Sequence, residues 1–375
     1  MKTLILSCNT GEGHNSCAKA IKEYYDSKGC ACDIKDGLEF ISPSISNFIS
    51  RGHSFIYCHI PWLFKWGYGH FEKHPSYFAD GSAIYRFFAR GTERMYQYIC
   101  SEGYDAVICV HVFTALMITD VLKKHPMDLK TCFVATDYTC SPSTKDSKLD
   151  YYFIPDEKLR FDFICDNITE EKMISSGIPI RQMFYVDVDK PEAKARIGIP
   201  SHHKHLLIMC GSMGCGPIKK ILRKLSGSLP RDWELTVICG RNEKLYKKLK
   251  IKYAHYEKIH VKGFVKDMGT MMDSADLYLT KPGGISVSEA SIKNVPMVFI
   301  DAVAGCEKYN GQFFADFNCA QTCASVSDIA KTCISIMQKE EKCIAMGHDL
   351  QKLKKENSAR VIYETIDKYE TCRYG

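Results

Sequence analysis

The 375 residues contain no apolar run that approaches the length needed to span a bilayer, which argues against a membrane-crossing helix. They also contain no paired Cys-x-x-Cys framework. The nineteen cysteines are scattered, and Cys30-Ala31-Cys32 alone is a poor metal site. No secretory leader precedes the first apolar stretch, so the reading is of reduced thiols in a cytosolic protein rather than a disulfide scaffold. Strong charge of one sign is missing as well. A formal net charge of +6 is too mild to imply nucleic acid, although a local concentration of it would favour an anionic membrane surface. There is no internal repeat and no low-complexity tract.

What is present is the material of a two-domain soluble protein: 375 residues, 45% hydrophobic and 25% charged, bury a full core and normally divide into two domains. Candidate strands are Thr3–Ser7, Ala106–His111, Lys130–Ala135, Tyr151–Ile154, Leu206–Met209, Glu234–Ile238, His260–Lys262, Leu277–Thr280 and Met297–Ile300. Helical patterns lie between most of them. Near-continuous apolar strands alternating with helices predict an α/β fold with buried parallel sheets. Thr169-Glu170-Glu171 reads as a helix start, with Gly177 ending the helix and Pro179 preventing its continuation. The polar stretch from about 186 to 200 is expected to link the domains. Leu350 to Cys372 reads as one helix or two.

Two stretches carry the strongest signal. Lys281-Pro282-Gly283-Gly284-Ile285-Ser286-Val287-Ser288-Glu289-Ala290 follows an apolar run and opens into a helical pattern. A strand that breaks at paired glycines and restarts as a helix aims unpaired N–H groups outward, and with the helix dipole these form a phosphate site. Thr10-Gly11-Glu12-Gly13-His14-Asn15 is a second loop of the same kind, after the first strand. Two such units far apart in the chain predict two α/β domains facing one cleft.

From Phe48 to Tyr98 the chain is crowded with aromatics interleaved with Arg and Lys, and Pro61-Trp62-Leu63-Phe64-Lys65-Trp66 holds two of the three tryptophans. Trp62, Phe64 and Trp66 suit a membrane interface or a greasy acceptor site. The alternative is core packing, which the helical spacing of Tyr85, Phe88 and Thr92 favours for those positions.

Taken together, Gly11-Glu12-Gly13-His14-Asn15, Ala135-Thr136-Asp137-Tyr138-Thr139, Gly211-Ser212-Met213-Gly214, Cys239-Gly240-Arg241-Asn242, Lys262-Gly263-Phe264-Val265 and Thr280 to Ala290 resemble, in order and spacing, the processive diacylglycerol glycosyltransferases and monogalactosyldiacylglycerol synthases, relatives of the lipid-carrier N-acetylglucosaminyltransferase of peptidoglycan synthesis. The resemblance covers nearly the whole length. It implies the GT-B fold, two Rossmann-like parallel-sheet domains facing a central cleft. The expected division is an acceptor domain at 1–187, a UDP-sugar domain at 188–349, and a final helix at 350–375 returning toward the first domain.

The resemblance also assigns expectations to residues. His14 is the expected base for the acceptor hydroxyl, with the alternatives that it caps the helix or touches phosphate. A neutral imidazole near a helix N-terminus suits proton transfer at neutral pH. Asp137 and His111 are the second-choice base and orienting group, with buried hydrogen bonding or a turn as the bland reading. Gly13, Gly211 and Ser212 are placed at the donor, and the amides of Gly283, Gly284 and Ile285, with Lys281 or Arg241, at its diphosphate. Glu289 matches the ribose-binding glutamate. Its alternative is a capping box, Ser286-Val287-Ser288-Glu289. Phe264 and Val265 are expected around the uracil.

In the segment that contacts the sugar in the family, Ala304-Gly305-Cys306-Glu307 followed by Asn310, a cysteine replaces the usual glutamine. Glu307 and Asn310 are expected at sugar hydroxyls, with rim salt bridging as the alternative. Asp187-Val188-Asp189 is read as a chance D-x-D. The expectation is therefore an inverting, metal-independent hexosyltransferase with no cofactor beyond its UDP-sugar co-substrate. It would act on diacylglycerol or glycosyl-diacylglycerol, peripherally, at the anionic inner face of the cell membrane. The rivals are a soluble UDP-sugar enzyme, either a small-molecule transferase or an epimerase, and a non-catalytic nucleotide-sugar sensor.

Overall fold

A computed structural model describes residues 1–300 and 305–371, apart from the side chains at 54, 57–59, 61, 75 and 368–371. Ala304 and the last residues of the tail, from Cys372 on, lie outside the described set. The chain forms two compact units, one comprising Met1–Gln182, Val303–Cys306 and the chain from Lys355 on, the other Met183–Ala302 and Glu307–Lys354.

The first unit is built on a six-stranded parallel sheet in the order β2-β1-β3-β4-β5-β6, with β1 Thr3–Ser7, β2 Cys32–Asp36, β3 Ala106–Cys109, β4 Lys130–Val134, β5 Tyr151–Ile154 and β6 Met173–Ser175. β1 and β3 are buried along their whole length because helices cover both faces of the sheet. The Glu12–Ser27 helix buries Cys17, Ala18, Ala20, Ile21, Tyr24 and Tyr25, a spacing that lays one face on the sheet. Tyr25 also meets Tyr363 of the Ser358–Thr371 helix edge to face at 5.0 Å. Burying each such large side chain contributes about 1.5–3 kcal/mol.

The second unit repeats the plan in the order β12-β11-β10-β7-β8-β9. Its strands are β7 Lys204–Met209, β8 Trp233–Ile238, β9 Ile259–Lys262, β10 Leu277–Thr280, β11 Met297–Ile300 and β12 Ala320–Cys323. All pairings in both sheets are parallel.

Several expectations fail locally. The helix expected after Thr169 is only a turn at Glu170–Lys172, and Met173–Ser175 pairs with β5 instead. Gly177 has φ +82 but ends that strand, its N–H donating to the Ile154 carbonyl. β2, β6 and β12 are edge or near-edge strands too short or too polar to show a periodic signal. The stretch expected as a linker contains a helix, Lys190–Ile197, whose Ala193 and Lys194 are buried. The tail is two helices, Glu340–Leu353 and Ser358–Thr371. Among the described residues sixteen cysteines are free thiols, whereas Cys215 is disulfide-bonded, so the all-thiol expectation fails there.

Candidate active site

In the first unit the chain reverses its order across the sheet between β1 and β3, and residues at the carboxyl ends of such strands converge on a crevice. Gly11 is the N-cap of the first helix, with extended backbone, so the helix starts at Glu12 and His14 sits in its first turn. His14 Nδ1 lies 2.9 Å from the Val110 carbonyl oxygen, which can only accept, so Nδ1 carries the proton. Thr136 Oγ1 is 3.0 Å from the same nitrogen. Nε2 is left with its lone pair and makes no hydrogen bond among the described residues. Burial lowers the pKa of His14 from 6.5 to about 4, opposed by the Val110 carbonyl and reinforced by His53. The ring is therefore neutral across the physiological range.

His111 has the opposite tautomer. Its Nδ1 accepts the N–H of Phe113 at 3.1 Å and so caps the Val112–Lys124 helix. The proton is then on Nε2, which donates to Thr10 Oγ1 at 3.2 Å. The two imidazoles meet edge to face at 4.5 Å. Burial, with His14 and His53 adding, holds His111 well below its ordinary value. Both of its nitrogens are engaged, so its role in the structure is to cap a helix and wall His14. His53, Thr10, Thr136 and the Val110 carbonyl were not foreseen. Thr10 and Thr136 lie inside stretches singled out in the sequence, but their contacts with His111 and His14, like those of His53 and the Val110 carbonyl, arise only through tertiary packing.

Asp137 is half-buried and raises the Cys306 thiol, second to burial. Cys306, at the position of the family's glutamine, lies 3.1 Å from the Tyr68 hydroxyl. A Cβ on Gly305 would meet the Tyr68 ring at 2.7 Å, so only glycine allows this packing.

In the second unit Gly283 is the N-cap of the Gly284–Ile292 helix and makes no side-chain cap bond. Its own N–H turns back to the Lys281 carbonyl at 2.8 Å, which removes it from the set of amides available to an anion. The first-turn amides of Gly284, Ile285 and Ser286 remain, as an α-helix requires. A Cβ added to Gly283 would meet nothing within 4 Å, so the protein's own packing does not demand glycine there. Because the helix already begins at Gly284, Ser286 lies inside it and the capping-box reading of Glu289 fails. Glu289 is half-buried one turn further on.

The glycine turns beside this helix are locked together. Gly211, Gly214 and Gly240 have φ of +67, +57 and +58. A Cβ on Gly240 would fall 2.1 Å from the Ser212 carbonyl oxygen, and Arg241 N donates to that oxygen at 2.8 Å. The Arg241 guanidinium stands 6.0 Å over the ring of Phe264, which is 62% exposed, with Val265 half-buried beside it. Burial pushes the Cys210 thiol up to about 12, Lys281 opposes that rise and Glu307 adds to it, so both charges lie around one sulfur.

Asn310 departs from its expected role. It is fully buried and its amide donates to the Pro282 carbonyl at 2.9 Å, so it braces the Lys281–Gly283 turn. Asp187 pairs with the buried Lys293 at 3.5 Å, and the Val188 N–H donates to Asp273, so the D-x-D segment is tied into the second unit. Among the described residues, no group of three or more His, Cys, Asp or Glu could hold a metal ion.

The aromatic segment divides. Phe78, Tyr85, Phe88 and Thr92 are buried, whereas Trp62 is 70% and Trp66 66% exposed. Phe64 is half-buried with its ring edge to face with His53 at 5.2 Å, so it belongs to the packed side. No described helix is long and apolar enough to cross a membrane.

Residues 14–180 match the family profile of monogalactosyldiacylglycerol (MGDG) synthase, and residues 205–364 match the glycosyltransferase family 28 C-terminal domain. The two profiles together span most of the chain, and along that length it is similar to these glycosyltransferases. A relative from Bacillus pumilus (strain SAFR-032), named processive diacylglycerol beta-glucosyltransferase, is 26% identical over 383 residues, covering 97% of this chain and 94% of its own. Among solved structures, Acinetobacter baumannii MurG superposes with a TM-score of 0.65 at 12% identity, covering 98% of this chain and 100% of that one. UDP-GlcNAc 2-epimerase from Neisseria meningitidis bound to UDP-GlcNAc superposes with a TM-score of 0.61, also at 12%, covering 98% and 100%. At that identity these structures speak to fold alone, and the fold is GT-B, with two Rossmann-like parallel-sheet units. The enzyme is a glycosyltransferase of family 28 type.

Proposed function

We propose that this transferase moves a hexose from a UDP-sugar to diacylglycerol or glycosyl-diacylglycerol, by a single displacement with inversion and without a metal ion. The observation that carries the reading is the His14 tautomer. With Nδ1–H fixed on the Val110 carbonyl, the lone pair on Nε2 is ready to take the acceptor hydroxyl proton. The acceptor oxygen then bonds to the anomeric carbon as the bond from that carbon to the diphosphate oxygen breaks. The electron pair leaves on UDP.

The leaving diphosphate is met by the amides of Gly284, Ile285 and Ser286 and the positive end of their helix, with Lys281 and Arg241 adding charge. These donors are oriented before the reaction, so they stabilise developing charge without reorganising. Glu289 accepts from the ribose hydroxyls, and Phe264 and Val265 border the uracil. Gly13, Gly211 and Ser212 approach the donor, and Glu307 contacts the sugar. Asp137 is the second-choice base.

The lipid acceptor rests on the names of the relatives and on Trp62 and Trp66, which are exposed, as are Arg51, Lys65 and Lys73 in the same stretch of sequence. Exposed indoles in a segment that also exposes cations suit the headgroup layer of an anionic membrane, here the inner face of the cell membrane. The deciding experiment incubates the enzyme with a panel of UDP-sugars and diacylglycerol in mixed micelles and reads products by mass. A hexosyl lipid from one donor is expected. UDP release with no lipid product from any donor would move the enzyme to a soluble acceptor, and vesicle sedimentation of a Trp62→Ala, Trp66→Ala variant checks the membrane face separately.

A further inference from the structure

The positive charge of this chain is not spread evenly along it. From Pro217 to Lys258 there are twelve Lys or Arg and four Asp or Glu, a net charge of +8 against +6 for all 375 residues, so the remainder is slightly acidic. In the second unit this stretch supplies β8 and the helices that flank it in the chain, Ile218–Ser226 and Glu243–Lys252. Because the chain steps from β7 to β8 to β9 in one direction, right-handed crossovers put both helices on the same face of the sheet. Ile218, Ile221, Leu222 and Leu225 of the first and Leu245 and Leu249 of the second are buried in one core. The opposite side of each helix meets solvent. On the first it carries Lys219, Lys220, Arg223 and Lys224, all exposed, and on the second Lys244, Lys247, Lys248 and Ile251, at i, i+3, i+4 and i+7, form one exposed stripe.

Helix stability does not explain this pattern. The first turn of Ile218–Ser226 holds two lysines and no acid, where the helix dipole favours negative charge. Lys219 and Arg223, Lys220 and Lys224, and Lys244 and Lys248 are like charges four residues apart, and each such pair is destabilising. Glu243 pairs with Lys247 at 3.4 Å, whereas the other six cations of the two outer sides make no ion pair among the described residues. Cations crowded together against the stability of their own helices suit a polyanionic partner. Ile251, 79% exposed between Lys250 and Lys252, narrows the class, because an aliphatic side chain among lysines gains from acyl chains beneath a layer of headgroups and gains nothing from a nucleic-acid backbone. We propose that this face of the second unit docks on an anionic lipid bilayer, with its lysines at the headgroup phosphates and Ile251 among the chains, as a contact separate in the sequence from Trp62 and Trp66. The choice of lipid among polyanions rests on the lipid-acceptor reading above.

The test sediments wild type and a Lys219→Gln, Lys220→Gln, Lys244→Gln, Lys248→Gln variant with vesicles of phosphatidylcholine alone and of phosphatidylcholine with about 30% phosphatidylglycerol. All four residues are exposed and none belongs to the proposed transfer site, so UDP affinity should hold and Tm stay level or rise as like charges are removed. Wild type should bind the anionic vesicles more tightly than the neutral ones. The variant's partition onto the anionic vesicles should fall about 10²–10³-fold, the combined loss of four surface cations. Unchanged partition in the variant, or equal binding of wild type to neutral and anionic vesicles, overturns the proposal.

Two further arms separate the alternatives. Binding of a fluorescent DNA duplex by wild type, at a salt concentration where neither vesicle is bound, makes nucleic acid the partner and overturns the bilayer assignment. Wild type that makes no hexosyl lipid in micelles, yet loses its hold on anionic vesicles through the four substitutions, sinks the lipid-acceptor reading and leaves the docking face standing. In neutral detergent micelles the variant should turn over within about twofold of wild type, because this face acts on location and not on the transfer.

Discussion

The two glycine loops share a strand, turn and helix grammar but differ in what the first helical turn offers. After β10, the Gly284–Ile292 helix has no acidic residue in its first turn and no side chain on its N-cap, so its amides and dipole stay open to an anion. After β1, the Glu12–Ser27 helix carries Glu12 in its first turn, a charge that opposes an anion at the same place. That turn instead presents His14, fixed by the Val110 carbonyl. One loop thus suits a diphosphate and the other a proton. The difference arises from two side chains and one backbone carbonyl, not from the glycines.

Four changes would break or sharpen this contrast. The largest effect is expected for His14→Ala, which should cut turnover about 10²–10⁴-fold, the scale of lost general base catalysis, while UDP affinity by calorimetry stays put. Unchanged turnover would leave the first loop without its chemistry. Glu289→Ala should weaken UDP binding about 10–100-fold, the loss of two hydrogen bonds accepted by a carboxylate, and this loss should outweigh any change in Tm because the helix starts from Gly283 and not from a Ser286–Glu289 box. A drop in Tm with normal UDP affinity would restore a purely structural role.

The pH response should also single out the first loop. The folded-state pKa of His14 is lowered to about 4, so between pH 6.5 and 4 the unfolded chain gains a proton that the folded chain does not. Stability is full above about 6.5 and falls as pH drops. By pH 5 the loss from His14 alone should be roughly 2 kcal/mol. His111 and His53, also lowered by burial, act in the same direction. Chemical denaturation at pH 7 and pH 5 should show a smaller difference in His14→Gln than in wild type; an identical difference would place the titration elsewhere.

The smallest effect tests the second loop. Gly283→Ala has open space for its Cβ and an ordinary φ of −75, so Tm should hold while UDP affinity falls about fivefold through steric interference with a close-lying ligand. Unaltered affinity would mean that the diphosphate does not approach this turn.

Much was legible in advance because the signals were local. β1, β10 and β11 are short apolar runs bounded by turns, and the Gly283 turn is written in consecutive residues. The roles that escaped are those set by distant partners. Asn310 looked like a sugar ligand but braces Pro282 from another helix. Ser286 and Glu289 had the spacing of a capping box, yet the helix starts two residues earlier, at Gly284. Trp66 and Phe88 belong to one aromatic segment, and only packing assigned the first to solvent and the second to the core.

By itself the sequence determined two parallel-sheet α/β units, each opening a glycine turn into a helix, because apolar periodicity and glycine placement act within a few residues. Tertiary structure alone decided which nitrogen of His14 is free, because its tautomer depends on a carbonyl 96 positions away. It also decided which loop amides stay unpaired and which aromatics meet water. Hydrogen bonds and burial are properties of the assembled neighbourhood, and a linear pattern does not contain them.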